Sequence, residues 1–315
     1  MDFQPIRAPR FSQIATFLRL PHVQDITGLD IAVLGVPFDG GSTYRPGSRF
    51  APREIRQSSS LMRRYNPVLD VYPFKDLRIA DAGDIDVPIV NIEEALSRIT
   101  AAIQTVVEAG VLPLCVGGDH SISLPILRAV ARRYGPVALL HVDAHQDMWD
   151  DTFGNRYTHS SPFRRAAEES LVDFQHAVQI GIRGSLASKN DLDFAREHGV
   201  KTISARSLAR LGPVELRNEL AFLRGRPLYV SFDIDSVDPA YAPGTGTPEI
   251  GGLTSREAVD VLHAVLGCKI VGADIVEVSP PYDHGCVTAV LAANILFEIV
   301  SLVAASRRHI AHQGP

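Results

Sequence analysis

Four short runs of this 315-residue sequence carry residues whose types and spacing fit metal chemistry. "GGDHS" occupies 117–121, "DAHQD" 143–147 and "SFDIDSVDP" 231–239, and Glu277 stands within "VEVSPPYD". Asp143, His145 and Asp147 are two apart, so an extended segment would turn all three to one side; Asp233 and Asp235 share that period. With His120 they offer two imidazoles and four carboxylates. Four carboxylates at close quarters do not all stay ionised without cations beside them. Two divalent ions bring about +4 against four aspartates. Oxygen-rich donors with one imidazole per ion suit manganese better than a structural zinc, with magnesium, iron or cobalt also allowed.

Each run taken alone has an ordinary reading. "GGDHS" is a common strand-to-helix turn, its glycines giving backbone freedom and Asp119 or Ser121 capping the helix. "DAHQD", followed closely by Trp149, Asp150 and Asp151, also fits a solvated acidic loop. His141, one period before Asp143, reads as a core residue or as support for the ligands. "GTG" at 244–246 lacks both the spacing and the Lys of a phosphate loop.

The elements around the runs join them. Continuous apolar stretches at 31–36, 111–116, 137–143, 177–182, 228–232 and 270–276 read as strands buried on both faces, with a weaker one at 77–80. Helical patterns at 92–109, 121–134, 188–198, 213–223, 255–266 and 287–305 alternate with them. That alternation predicts an α/β fold, a three-layer α/β/α sandwich with a mostly parallel sheet. Every polar run then falls at the carboxyl end of a strand, the edge where open parallel sheets bind ligands. No repeat or linker divides the chain, so one domain over 1–315 is expected, with 1–28 as a surface arm.

Composition narrows the function classes. The chain is 45% hydrophobic and 21% charged with a net charge of -5. It has no basic stripe of the kind nucleic acid requires. Cys115, Cys268 and Cys286 match no zinc ribbon or disulfide framework, so a reducing, cytoplasmic setting is expected. The first twenty residues lack a signal-peptide pattern. The apolar stretch 288–306 contains Asn294 and Glu298 and reads as a buried terminal helix, not a membrane span.

The same runs, with "GVPFDGGSTYRPGSRFAPREIR" (35–56) and "SFDIDSVDPAYAPGTGTPEIGG" (231–252), resemble the signatures of the ureohydrolase family: arginase, agmatinase and their relatives. The 35–56 stretch resembles the agmatinase branch, and the resemblance covers nearly the whole chain from about residue 30. It implies an arginase-like sandwich and a binuclear manganese centre. By motif position His120 and Asp147 would bind one ion and His145 and Asp235 the other, with Asp143 and Asp233 bridging. In the family two cations lower the pKa of a bound water, which attacks the guanidinium carbon and releases urea and an amine. The implied catalytic set is Asp147, Glu277, which pairs with the guanidinium, and His159, which passes a proton to the leaving amine.

Trp149 stands where arginase has an Asn for the amino-acid head group. The resemblance therefore implies a linear guanidino substrate other than arginine, agmatine first and 4-guanidinobutyrate second. Asp150 or Asp151 would hold an ammonium tail and Arg156 a carboxylate, with Trp149 and Tyr157 in the same loop. Ser160 replaces the family's usual glycine after His159, which would restrict that loop. The family also implies a homo-oligomer, trimer or hexamer. Two alternatives remain: a single-zinc deacetylase of the same fold using a Tyr, and a binding protein that has lost the chemistry. The complete donor set argues against the second.

Overall fold

A strand that is apolar at every position needs cover on both faces. In the computed structural model, which describes residues 8–313 (side chains to 309), eight strands meet that need in one sheet. They are β1 (Ile31–Val36), β2 (Ile79–Asp84), β3 (Leu112–Gly117), β4 (Val137–Val142), β5 (Val172–Ile182), β6 (Lys201–Ser204), β7 (Pro227–Asp233) and β8 (Lys269–Val276). Their order is β2-β1-β3-β8-β7-β4-β5-β6, and every neighbouring pair is parallel. β1, β3 and β4 are buried at every residue.

The helices are α1 (Ala51–Ser58), α2 (Pro73–Asp76), α3 (Ile92–Glu108), α4 (Ser123–Tyr134) and α5 (Pro162–Glu168). After them come α6 (Asp193–Glu197), α7 (Ala205–Leu208), α8 (Pro213–Glu219), α9 (Ser255–Ala264) and α10 (Val287–Gln313). Alternate residues of β1 enter different cores. Ile31 and Val33 belong to the same buried core as Ile55 of α1, Leu216 of α8, Val261 of α9 and Ile295 of α10. Ala32 and Leu34 belong to the same buried core as Ile99 of α3, Leu127 of α4, Phe163 of α5 and Ala195 of α6. The result is the expected three-layer sandwich. Among the described helices only α10 is long and apolar enough to cross a membrane, and 78% of that stretch is buried inside the protein.

Three departures have physical causes. β6 is a four-residue edge strand with one buried residue, held by pairing to β5 rather than by apolar character. The helix expected over 188–198 shortens to α6, because the Asp191 carboxylate accepts from the Ser188 amide (2.9 Å) and closes a turn there. Residues 17–20 are not a surface arm. Phe17, Leu18 and Leu20 are buried, the Phe17 amide donates to Asp81 Oδ2 (2.9 Å), and the Arg56 guanidinium lies 4.1 Å from the Phe17 ring centre. Three apolar residues are too few to show a period. Residues 1–7 of the expected arm lie outside the described residues.

Candidate metal centre

β3, β8, β7 and β4 lie side by side in the middle of the sheet. At or just beyond their carboxyl ends stand His120, Glu277, Asp233 with Asp235, and Asp143 with His145 and Asp147. Close backbone packing sets the first of these. A Cβ on Gly118 would lie 1.6 Å from the Phe38 carbonyl oxygen, so glycine serves here for space and not for backbone freedom. Asp119 then accepts from the Ser121 amide (3.0 Å) as the helix cap.

The 143–147 segment is not extended. β4 ends at Val142, Asp143 Oδ1 accepts from the His145 amide at 2.6 Å, and Asp147 adopts φ +50°. A tight turn, rather than strand alternation, brings the three side chains together. Asp233 Oδ1 accepts likewise from the Asp235 amide (2.8 Å).

His120 Nδ1 lies 3.1 Å from Asp143 Oδ2 and 3.0 Å from both Asp147 Oδ2 and Asp233 Oδ2, all of them buried. Yet Nδ1 makes no hydrogen bond. Its partner nitrogen explains why. His120 Nε2 is 2.9 Å from Ser231 Oγ, and Ser231 donates its own proton to Asp274 Oδ1 (2.7 Å). Ser231 must therefore accept from Nε2–H, which leaves Nδ1 as the ring nitrogen turned toward three carboxylate oxygens. Two carboxylates about 4 Å apart repel by roughly 4 kcal/mol at an effective dielectric of 20. Against a domain stability of about 5–15 kcal/mol, such a cluster needs a cation. The donors fit a hard divalent ion with one imidazole.

A second group forms beside the first, from Asp143, His145 and Asp235. His145 Nδ1 is 3.1 Å from Asp235 Oδ2 and 3.5 Å from Asp143 Oδ1. Asp143 is thus common to both groups, one oxygen in each. Asp233 faces the first group, its other oxygen being taken by the Asp235 amide. Burial opposes charge on Asp143, but His141, His120 and His145 hold its carboxyl far below the usual range. Asp233 moves the opposite way, driven up by burial and then by Asp235 and Asp143.

Outside the donors runs a set of supports, most of which no motif marks. His141 Nε2 meets Asp143 Oδ2 at 2.7 Å. Its Nδ1 accepts from the Gln179 amide (3.1 Å), which also donates to the Gln146 carbonyl (2.8 Å). Both ring nitrogens are therefore engaged, and His141 positions Asp143 instead of binding an ion. Asp274 is fully buried and accepts from the hydroxyls of Ser231, Ser123 and Tyr229. Through Ser231 it fixes the tautomer of His120. Arg183 donates to the carbonyls of Asp235, Ser236 and Glu249 (2.7, 2.9 and 2.7 Å), clamping the Asp235 turn. His141 alone is marked in the sequence, by its position one period before Asp143; Gln179, Ser231 and Asp274 are ordinary strand residues until their neighbours in the sheet are known, and Arg183 is an ordinary loop residue.

Glu277, with φ +63°, directs Oε1 to the His120 amide (2.8 Å) and to His159 Nδ1 (3.0 Å). Burial favours neutral His159, but the Glu277 carboxylate outweighs it and, with Asp147 and Asp119, raises the imidazole to about 9. The Thr43 hydroxyl lies 2.7 Å from His159 Nε2. Glu277 Oε2 has no protein partner among the described residues and looks toward Gly246, where a Cβ would lie 3.4 Å from it. Gly246→Ala should therefore raise KM by about 10-fold with bound metal unchanged, because overfilling a packed site costs about 1–3 kcal/mol. Steady-state kinetics alongside metal analysis checks this.

The loop expected to read the substrate tail is largely committed to itself. Asp150 does not present a free carboxylate: it pairs with the buried Arg165 and lies 3.5 Å from Arg164. Arg156 is exposed and paired with Glu168 (2.7 Å), which holds it on the outer surface. The Trp149 amide donates to the Ser160 carbonyl (3.0 Å), leaving its half-buried side chain at the loop base. Asp151 accepts from the Gly154 amide (2.9 Å). The Ser160 hydroxyl joins those of Thr152 (2.8 Å) and Thr158 (2.9 Å), and its φ is not positive, so serine knits the loop where glycine would leave it loose.

The geometry agrees with what the chain is similar to. Residues 29–301 match the model of the Arginase family. A guanidinopropionase of Pseudomonas aeruginosa is 48% identical over 308 residues, covering 96% of each chain. A mitochondrial agmatinase of Gallus gallus is 45% identical over 291 residues, 92% of this chain and 86% of that one. The solved proclavaminate amidinohydrolase of Streptomyces clavuligerus superposes with a TM-score of 0.91 at 42% identity, over 95% of this chain and 100% of that one. With the clustered His and Asp donors at the centre of a parallel sheet, these matches place the chain in the arginase family, in its agmatinase-like branch, as a hydrolase of guanidino compounds.

Proposed function

We propose that the chain cleaves a linear guanidino compound to urea and an amine, using two manganese ions held in the groups that share Asp143. The observation that carries this is the pair of donor groups beside the free Glu277 Oε2. His120, Asp147 and Asp233 would hold one ion with Asp143, and His145 and Asp235 the other; the ions supply a water of lowered pKa and charge stabilisation. Glu277 Oε2 accepts from the guanidinium and orients its planar carbon toward the cluster. Its other oxygen holds His159, and the imidazolium delivers a proton to the departing amine nitrogen. Thr43 fixes the far side of that ring. A deacetylase of the same fold uses one ion, which would leave one donor group idle.

Between substrate classes, the arrangement favours a guanidino acid over agmatine. Agmatine needs an acid for its ammonium, and Asp150 is already compensated by two arginines. Urea release from agmatine, 3-guanidinopropionate, 4-guanidinobutyrate and arginine in the presence of Mn tests the proposal. Turnover of at least one of the first three, with two ions per chain, is expected. Fully metal-loaded protein that releases urea from none of them defeats it.

A further inference from the structure

We infer that Arg45 reads the far end of the substrate and that the group it accepts is a carboxylate, an inference that rests on the guanidino-hydrolase reading above. Arg45 lies in the loop between β1 and α1, and that loop is tied over the site at several points. The Gly41 amide donates to Asp119 Oδ2 (2.7 Å) and its carbonyl accepts from the His159 amide (3.0 Å). Thr43 touches His159, and the Gly47 amide donates to Asp39 Oδ2 (2.8 Å). Pro46 restricts the backbone of Arg45 to extended conformations. The point where a side chain on Gly246 would begin is 3.2 Å from the Arg45 carbonyl oxygen and 3.4 Å from Glu277 Oε2. The backbone of Arg45 therefore stands at the rim of the space into which Glu277 offers its free oxygen.

The guanidinium of Arg45 lies 5.2 Å from the ring centres of both Tyr44 and Tyr282, and Tyr282 follows Glu277 by five residues. Two aromatic faces steady a cation without neutralising it. No carboxylate pairs with Arg45 among the described residues, whereas its loop neighbour Arg49 is paired with Asp39. Asp283, next to Tyr282, is already used: it accepts from the amides of Thr288 (3.0 Å) and Ala289 (3.0 Å) at the start of α10. A half-buried arginine without a counter-ion, near the space where Glu277 would hold the substrate guanidinium, suits a substrate with a carboxylate at its other end. The planar fork of arginine matches a carboxylate and repels an ammonium.

The test compares Arg45→Gln and Arg45→Lys with the unaltered enzyme on 3-guanidinopropionate, 4-guanidinobutyrate and agmatine, with metal content and the pH profile followed in parallel. Arg45→Gln should raise KM for the preferred guanidino acid by about 10- to 100-fold, the scale of one charge-assisted hydrogen bond. kcat should change less, and the ratio of kcat/KM values should move toward agmatine. Lysine should restore part of the loss, while metal content and the pH profile hold. An equal loss on all three substrates, or no loss on the acids, overturns the inference. Unaltered enzyme that turns over agmatine alone overturns it too while leaving the hydrolase reading intact. Enzyme loaded with metal and inactive on every compound defeats both.

Discussion

Asp143→Asn should bind manganese more than about 100-fold more weakly and lose activity by at least ~10³-fold. Asp143 is the one side chain with an oxygen in each donor group. Even residues that merely support a ligand are worth roughly 10–100-fold in metal affinity, so a ligand common to both groups exceeds that. Two further contacts depend on its charge: His141 Nε2 at 2.7 Å and the His145 amide at 2.6 Å. An amide accepts with its oxygen alone, so one of the two groups loses its donor.

Stability separates this from simple misfolding. In metal-free protein the substitution removes a charge that His141, His120 and His145 favour, so the variant should still unfold cooperatively, at or somewhat below the temperature of the parent. Manganese at about 100 times Kd stabilises the native state by about 2.7 kcal/mol, and that increment should be absent from the variant. Thermal melts with and without Mn, together with bound-metal analysis, decide. A variant that keeps the Mn-dependent rise in Tm refutes the shared role of Asp143.

Much of this site was legible because its donors cluster by sequence at strand ends. "DAHQD" and "DID" need only the turn after β4 and the turn after β7, and His120 follows a strand of six buried residues. Sheet order, which makes β3, β8, β7 and β4 neighbours, is a tertiary fact that no local pattern states. Gln179, Ser231 and Asp274 act only through that order: Ser231 and Asp274 are register partners across β7 and β8, 43 positions apart. The tail-reading loop was misjudged for a related reason. Asp150 looks free beside Trp149 until α5 brings Arg164 and Arg165 against it. Charge in a loop says little until its partner is located. The left-handed backbone at Glu277 is likewise invisible in residue type, since glutamate does not favour it, whereas aspartate at 147 is among the residues that adopt it more readily.

Glu277→Gln should lower kcat/KM by about 10³-fold while leaving bound metal unchanged, since no Glu277 atom belongs to either donor group. Two losses combine. Loss of a charge-assisted contact to the guanidinium costs about 1.5–3 kcal/mol, and a misplaced proton donor costs about 10²–10⁴-fold. The pH dependence distinguishes them. Glu277 is what raises His159 to about 9 against the effect of burial. A general acid works below its pKa, so activity of the parent should fall on the alkaline side as His159 deprotonates. With glutamine in place, burial prevails and that limb should move to lower pH. Stability follows the same sign. An imidazolium favoured by the fold contributes fully below the unfolded pKa of about 6.5, and the contribution disappears as pH rises through about 9. Metal-free parent should therefore lose Tm across that window, and the Gln variant should not. A Gln variant whose alkaline limb stays in place, despite the lower kcat/KM, would show that Glu277 grips the guanidinium but does not set the proton affinity of His159.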